Sequence, residues 1–118
     1  MRKKNVTIYH NPRCSKSRAT LQLIKERGIE PTVIEYLETP PHATELRRVL
    51  GLLKKKPREI IRKNEDPYKN LGLENPKVKD ATLIKAMVEH PILIERPIVV
   101  SGTKAIIGRP PETVLKIL

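Results

Sequence analysis

The sequence predicts one α/β domain in which a mixed sheet is flanked by helices. The 118 residues suffice for a single modest core. The chain opens with a strand–helix–strand pattern and closes with two short apolar runs followed by a helical segment. Between these ends, from about residue 39 to 91, the apolar spacing is helical. We therefore predict one domain, 1–118, with a helical insertion between a β-α-β half and a β-β-α half.

The opening half is predicted from its turn and cap residues. Residues 5–9 form a β-branched run that ends at Asn11-Pro12, which predicts a strand and a turn. Apolar residues at helical spacing predict a helix over 15–27, and Gly28 would end it. Residues 32–37 alternate as a second strand, so the two strands should be parallel and joined by the helix.

The middle of the chain has the spacing of several helices. Residues 44–53 place apolar side chains on one face, and a short helical turn is predicted over 58–62 after a proline. Irregular connections are predicted at 64–68 and 75–76. Asp80 can cap a further helix that runs to His90 and ends before Pro91.

The closing half is predicted as a hairpin and a last helix. Apolar runs at 98–100 and 104–107 flank Ser101-Gly102-Thr103, a hairpin signal. Pro110-Pro111 would open the final helix. A β-α-β half and a β-β-α half in this order predict a thioredoxin-like domain.

Composition and charge limit the classes of molecule that the protein is expected to bind. The net charge is +11, from 24 Lys and Arg against 13 Asp and Glu, which favours anionic ligands. Specific nucleic-acid binding is not expected, because the three tyrosines are not interleaved with a basic cluster. No run is apolar enough for a membrane span or a signal peptide. We expect a cytoplasmic monomer.

Residue counts also exclude two kinds of site. A single cysteine cannot form an intramolecular disulfide. The three histidines, His10, His42 and His90, lack the spacing of metal ligands, so no metal site is predicted.

Cys14 is the candidate nucleophile. It stands between a predicted strand and a predicted helix, where helical N–H groups lack partners and the helix dipole is positive. Those conditions lower a thiol pKa and make a thiolate available near neutral pH. A lone cysteine is often a small buried hydrophobe, but the neighbours of Cys14 are polar and cationic.

Three arginines stand where helix and strand propensities do not require them: Arg62, Arg96 and Arg109. Arg96 and Arg109 flank the predicted hairpin, so the sheet could bring both beside the cysteine loop. Arginine offers a planar fork of donors that can hold a tetrahedral oxyanion. Taken singly, each such arginine is more often a surface cation than a ligand.

An ordered set of motifs over essentially the whole chain resembles the glutaredoxin-dependent arsenate reductase (ArsC) family. The motifs are His10-Asn11-Pro12-x-Cys14, Ile61-Arg62-Lys63-Asn64 with Pro67-Tyr68, Leu71-Gly72-Leu73, the run from His90 to Val100 containing Arg96-Pro97, and Gly108-Arg109-Pro110. The resemblance implies a thioredoxin-like fold with a helical insertion and reduction of arsenate to arsenite, with no bound cofactor.

The resemblance also implies roles for the residues of the site. Cys14 would attack arsenic and form an adduct, and Arg62, Arg96 and Arg109 would bind the oxyanion. His10 and Ser17 match thiolate-tuning positions, and Pro97 matches the cis-proline of the fold. If the Ser17 hydroxyl donates to the thiolate, its removal should raise the pKa of Cys14.

The reductant implied by the resemblance is glutathione, with glutaredoxin regenerating Cys14 from a mixed disulfide. The cysteine loop differs from the best-understood members at Arg13, Ser15 and Lys16. The added cations would suit an anion or the carboxylates of glutathione.

Two alternatives remain open from the sequence. One is a glutathione-dependent thiol oxidoreductase with another substrate. The other is an adaptor resembling the Spx-like regulators that bind RNA polymerase. Those regulators often carry a Cys-x-x-Cys switch, whereas position 17 here is Ser.

Overall fold

A four-stranded mixed sheet carries the two ends of the chain in the computed structural model, which describes residues 5–118. Contacts divide the chain into two compact units. The first comprises the described residues up to Thr39 together with Arg96–Leu118, and the second is Pro40–Glu95. Each unit is described in turn.

The sheet belongs to the first unit and has the order β2-β1-β3-β4. Its strands are β1 (Val6–His10), β2 (Thr32–Glu35), β3 (Ile98–Ser101) and β4 (Lys104–Ile107). Strand β1 pairs parallel with β2 and antiparallel with β3, and β3 pairs antiparallel with β4. The prediction of an α/β fold with a mixed sheet is confirmed.

Helix α1 (Ser15–Glu26) and a closing 3₁₀ helix (Pro111–Lys116) complete the first unit. The two helices pack against each other, α1 also contacts β1, and the 3₁₀ helix contacts β4. The core of this unit is aliphatic and consists of Val6, Ile8, Ile24, Val99 and Val114. Burying these side chains fixes the strand before Cys14 and the helix after it, because each contributes to the same core.

The second unit is helical. Its helices are α2 (Ala43–Leu53), α3 (Pro57–Ile60), α4 (Asp66–Asn70), α5 (Asp80–Glu89) and a 3₁₀ turn (Pro91–Leu93). Helix α5 packs against α2 and α3. Among the described residues of the two units, no helix is long and apolar enough to span a membrane.

Three predicted elements differ from those observed. Helix α4 occupies part of the segment predicted as irregular, and Pro67 fits there because the first turn of a helix does not need its N–H. Asp80 is the first residue of α5 rather than its cap, which is Lys79. The last helix is 3₁₀, and the N–H of Ile117 bonds the carbonyl of Val114 three residues earlier.

Strand β2 also ends earlier than the predicted residue 37. After Glu35 the chain turns, and the N–H groups of Glu38 and Thr39 both bond the Glu35 carbonyl. Strands β1 and β2 are parallel, and their last residues, His10 and Glu35, are paired. The turn at residues 35–38 therefore lies at the same edge of the sheet as the Cys14 loop, which follows β1.

Gly108 marks the closest approach between the segment after β4 and helix α1. A Cβ placed on Gly108 would lie 2.5 Å from Thr20 Oγ1 and 3.0 Å from Pro97 Cγ. Thr20 is fully buried, and its hydroxyl donates to the Lys16 carbonyl at 2.7 Å. The missing side chain therefore lets the segment bearing Arg109 pack directly on α1.

We expect Gly108→Ala to destabilise the protein by about 1–3 kcal/mol, as overpacking of a tight site does. Gly51→Ala is the matched control, since that glycine lies in α2 with no atom within 4 Å of its added Cβ. The control should stabilise the helix by about 0.5–1 kcal/mol. The midpoints of urea unfolding measure the stability of the two variants. Equal stability of Gly108→Ala and Gly51→Ala would show that the contact at Gly108 relaxes freely.

Candidate active site

The loop between β1 and α1 is built around Asn11. Its carbonyl accepts the N–H of Cys14 at 3.0 Å, and its side-chain Oδ1 accepts the N–H of Arg13 at 3.0 Å. The polar Asn11 side chain is buried, and the Arg13 N–H satisfies its Oδ1. The turn therefore holds Cys14 in extended conformation at the N-cap of α1.

The Cys14 thiol is partly exposed, and its surroundings favour the thiolate. Burial alone would raise its pKa, but hydrogen bonds from the Ser17 N–H, the Arg96 side chain and the Lys16 N–H lower it, as does the charge of Arg96. The net pKa of Cys14 lies below its ordinary value. The first turn of α1 and one arginine thus stabilise a nucleophilic thiolate.

A buried polar pair lies behind the loop. His10 Nδ1 and Ser17 Oγ are 2.7 Å apart, and the Asn11 N–H donates to Ser17 Oγ at 3.0 Å. The pKa of His10 is lowered by burial, with Arg18 and Lys25 adding to the effect and Glu35 opposing it. The lowered pKa favours the neutral imidazole, and in the tautomer with a free Nδ1 lone pair the Ser17 hydroxyl can donate to Nδ1 while it accepts from Asn11.

The sequence left open whether the Ser17 hydroxyl donates to the thiolate. The part of Ser17 that lowers the pKa of Cys14 is its backbone N–H. The hydroxyl oxygen lies within hydrogen-bonding distance of His10 Nδ1 and the Asn11 N–H.

We therefore expect Ser17→Ala to lower the free energy of unfolding by about 1–3 kcal/mol, because it leaves buried groups of His10 and Asn11 without their partner. The pKa of Cys14 should change little, since alanine keeps the backbone N–H. Urea unfolding and the pH dependence of thiol alkylation measure the two effects. A large rise in the thiol pKa would show that the hydroxyl, not the N–H, controls ionisation.

Arg96 and Arg109 lie on either side of the β3–β4 hairpin, and the structure brings them together. The Arg109 Nη1 donates to the Arg96 carbonyl at 3.2 Å, and the Arg96 side chain hydrogen bonds the Cys14 sulfur. The Arg96–Pro97 peptide bond is cis, and the Pro97 carbonyl accepts the Gly108 N–H at 2.9 Å. One continuous set of contacts therefore links the thiol to both arginines.

Arg62 belongs to the second unit and is held by carboxylates. Its Nε lies 3.2 Å from Glu65 Oε2, and its Nη1 lies 2.7 Å from Glu95 Oε1. Its backbone N–H also donates to the Leu93 carbonyl at 2.7 Å. These contacts fix the guanidinium in one orientation.

Residues 9–117 match the model of the ArsC family. The chain belongs to the ArsC family.

Relatives of this ArsC protein share most of its length. It is 56% identical to the uncharacterized protein YfgD of Escherichia coli (strain K12), over 98% of each chain. It is 52% identical to an arsenate reductase of Escherichia coli, covering 97% of this chain and 81% of the relative. The solved arsenate reductase from Vibrio cholerae has a TM-score of 0.96 at 51% identity and covers 99% of this chain and all of that one. The thioredoxin-like ArsC fold predicted from the sequence is confirmed.

Sequence reasoning missed several groups that position the candidate side chains within each unit of this ArsC protein. Glu65 and Glu95 form ion pairs with Arg62. Glu65 could have been identified by its i, i+3 spacing to Arg62, and Glu95 by its position directly before Arg96. Asn11 was recognised as a turn residue and as part of the motif before Cys14, but its bonds to the N–H groups of Arg13 and Cys14 were not predicted. Among residues 5–118, no group of three or more His, Cys, Asp or Glu side chains is arranged to hold a metal ion.

Proposed function

We propose that this protein reduces arsenate to arsenite through a Cys14–arsenic adduct, with glutathione and glutaredoxin as reductants. The observation that carries the proposal is the Cys14 sulfur at the start of α1, within hydrogen-bonding reach of Arg96. Membership of the ArsC family and relatives named arsenate reductase support the choice of substrate.

In the first step the Cys14 thiolate attacks arsenic. A sulfur–arsenic bond forms, one arsenic–oxygen bond breaks, and the oxygen leaves as water after protonation. Arsenic remains As(V). Arg62, Arg96 and Arg109 neutralise negative charge on the remaining oxygens, and their planar donor forks suit a tetrahedral oxyanion.

In the second step the adduct receives two electrons from a second thiol. The thiolate of glutathione attacks the Cys14 sulfur, and the sulfur–arsenic bond breaks with its electron pair left on arsenic, which becomes As(III). The two sulfurs are oxidised to a mixed disulfide. A glutaredoxin thiol then attacks the glutathione sulfur and releases Cys14. An external thiol is required because Cys14 is the only cysteine.

The remaining residues support the nucleophile. His10 and Ser17 order the loop that holds Cys14, and Pro97 places Arg96 ahead of β3. We propose no bound cofactor and a monomeric protein. We place it in the cytoplasm, where glutathione and glutaredoxin keep a lone thiol reduced.

A coupled assay tests this function. The protein is mixed with glutathione, glutathione reductase, glutaredoxin and NADPH, with and without arsenate, and Cys14→Ser is the control variant. Arsenate-dependent NADPH consumption that is lost in the variant is the expected result. Turnover that persists without Cys14, or no turnover in the unmodified protein, would overturn the proposal.

A second candidate is a glutathione-dependent thiol oxidoreductase with another substrate. It is favoured by the exposed cations of the loop, Arg13 and Lys16, which suit an organic anion as well as an inorganic one. An alkylation-reactive Cys14 with no response to arsenate would favour this candidate.

A further inference from the structure

A pocket of about 250 Å³ opens beside the Cys14 loop in the first unit. One wall is the loop itself, His10 through Arg13, and the other is formed by Glu35, Leu37 and Glu38 at the end of β2. The loop continues directly into Cys14, whose N–H bonds the Asn11 carbonyl. An occupant of the pocket would therefore lie against the loop that leads into the nucleophile, although Cys14 itself does not line the pocket.

The charges of the pocket do not fit the oxyanion. Glu35 and Glu38 are exposed carboxylates on one wall, and Arg13 is an exposed cation on the other. Two carboxylates repel an arsenate dianion and attract an ammonium group, while the guanidinium of Arg13 attracts a carboxylate. Leu37 adds apolar surface between them. The pocket thus suits a molecule that carries both charges.

His10 gives an independent indication of a polar ligand. The side chain lines the pocket, although it is only 6% exposed. Its Nδ1 lies 2.7 Å from Ser17 Oγ, so Nε2 is the ring nitrogen that Ser17 does not engage. In the tautomer in which Nδ1 accepts from Ser17, Nε2 carries the proton and is a donor. The ring then offers a hydrogen-bond donor on the side away from Ser17.

From these observations we infer that the pocket binds the γ-glutamyl end of glutathione. The inference rests on the proposed function and names where its reductant binds. The ammonium group would pair with Glu35 and Glu38, and the neighbouring carboxylate would pair with Arg13 and the Nε2–H of His10. The volume lies just below the roughly 300–1,000 Å³ of common small-molecule sites, which suits one end of a tripeptide. The cysteinyl thiol then extends along the loop toward Cys14.

The test uses S-methylglutathione, which binds but cannot react, titrated into the full chain and followed by NMR. Binding should shift the resonances of residues 10–13. Glu35→Gln with Glu38→Gln should weaken binding about tenfold, the loss expected for charge-assisted hydrogen bonds. Glu30→Gln is the matched control, because Glu30 is exposed in the same unit but does not line the pocket. It should bind as the unmodified protein does.

A second probe checks the ammonium contact. N-acetyl-S-methylglutathione lacks the charged amine, so it should bind the unmodified protein about as weakly as S-methylglutathione binds the double variant. Equal affinity of the double variant and the Glu30→Gln control for S-methylglutathione would overturn the inference. Chemical-shift changes that leave residues 10–13 unaffected would overturn it as well. The spectra of the free proteins show whether each variant is folded.

The binding result and the arsenate assay separate the two proposals. Binding at the pocket without arsenate turnover would preserve this inference and remove the proposed substrate. Arsenate turnover with an unchanged KM for glutathione in the double variant would preserve the reductase and remove this binding site.

Discussion

Arg96→Lys is expected to lower kcat/KM for arsenate about 100-fold and to raise the pKa of Cys14. The Arg96 side chain hydrogen bonds the Cys14 sulfur, and its charge stabilises the thiolate. Lysine keeps a charge but loses the planar fork, so one cation can no longer serve both the sulfur and an oxyanion in the same geometry. Loss of one such donor to a developing oxyanion lowers the rate about 10²–10³-fold.

Arg109→Lys is the matched variant for this test. Arg109 donates to the Arg96 carbonyl rather than to the sulfur. It should therefore lower kcat/KM while leaving the thiol pKa nearly unchanged. Steady-state kinetics and the pH dependence of iodoacetamide alkylation give the two readouts for both variants. Unchanged values for Arg96→Lys would mean that Arg96 neither binds the oxyanion nor activates Cys14.

The alkylation rate of Cys14 should reach half its maximum at a lower pH in the folded protein than in the unfolded chain, where a free thiol has a pKa of about 8.5. The first-turn N–H groups and Arg96 hold the pKa of Cys14 below its usual range despite burial. Proton release is therefore easier in the folded protein than in the unfolded chain. The rate measured in denaturant gives the reference, and coincident titrations would contradict an activated thiol.

The same shift makes stability depend on pH. Because the folded pKa of Cys14 is lowered, its contribution is fully present above the unfolded pKa and is lost as the pH falls through the folded pKa. Unfolding of the native protein and Cys14→Ser should therefore diverge as the pH rises toward about 8.5 and stay parallel above it. Urea unfolding at several pH values measures the difference. A constant difference would show that the thiolate is not stabilised by folding.

The parts of the fold that depend on local pattern could be predicted from the sequence. Strands and long helices follow apolar periodicity, and the hairpin at Gly102 follows its turn residues, so the mixed sheet was predicted correctly. Short elements could not be predicted in this way. Helix α4 has five residues, and its Asn, Asp and Pro residues are typical both of loops and of a helical first turn.

The same distinction between local pattern and distant contacts applies to the candidate site. Cys14 and the arginines are visible because their residue types are unusual at those positions. The group to which each donor bonds depends on contacts between segments that are distant in sequence. The Arg96 bond to the sulfur, the carboxylates around Arg62 and the contact of Thr20 with Gly108 are all of this kind. No spacing rule could assign the Ser17 hydroxyl to His10 instead of to the thiol.

The N-cap position of Cys14 couples chemistry to the order of the helix. Ser, Thr, Asp or Asn usually caps a helix with an oxygen acceptor, whereas Cys14 holds this position without a side-chain cap hydrogen bond, and the N–H groups of Ser17 and Lys16 favour its ionised form. Any bond formed to sulfur therefore removes a negative charge from the positive end of the helix. Helix α1 should fray at its first turn whenever Cys14 is modified and tighten when the thiolate returns. Amide hydrogen exchange at residues 16 and 17 would then report the chemical state of the sulfur.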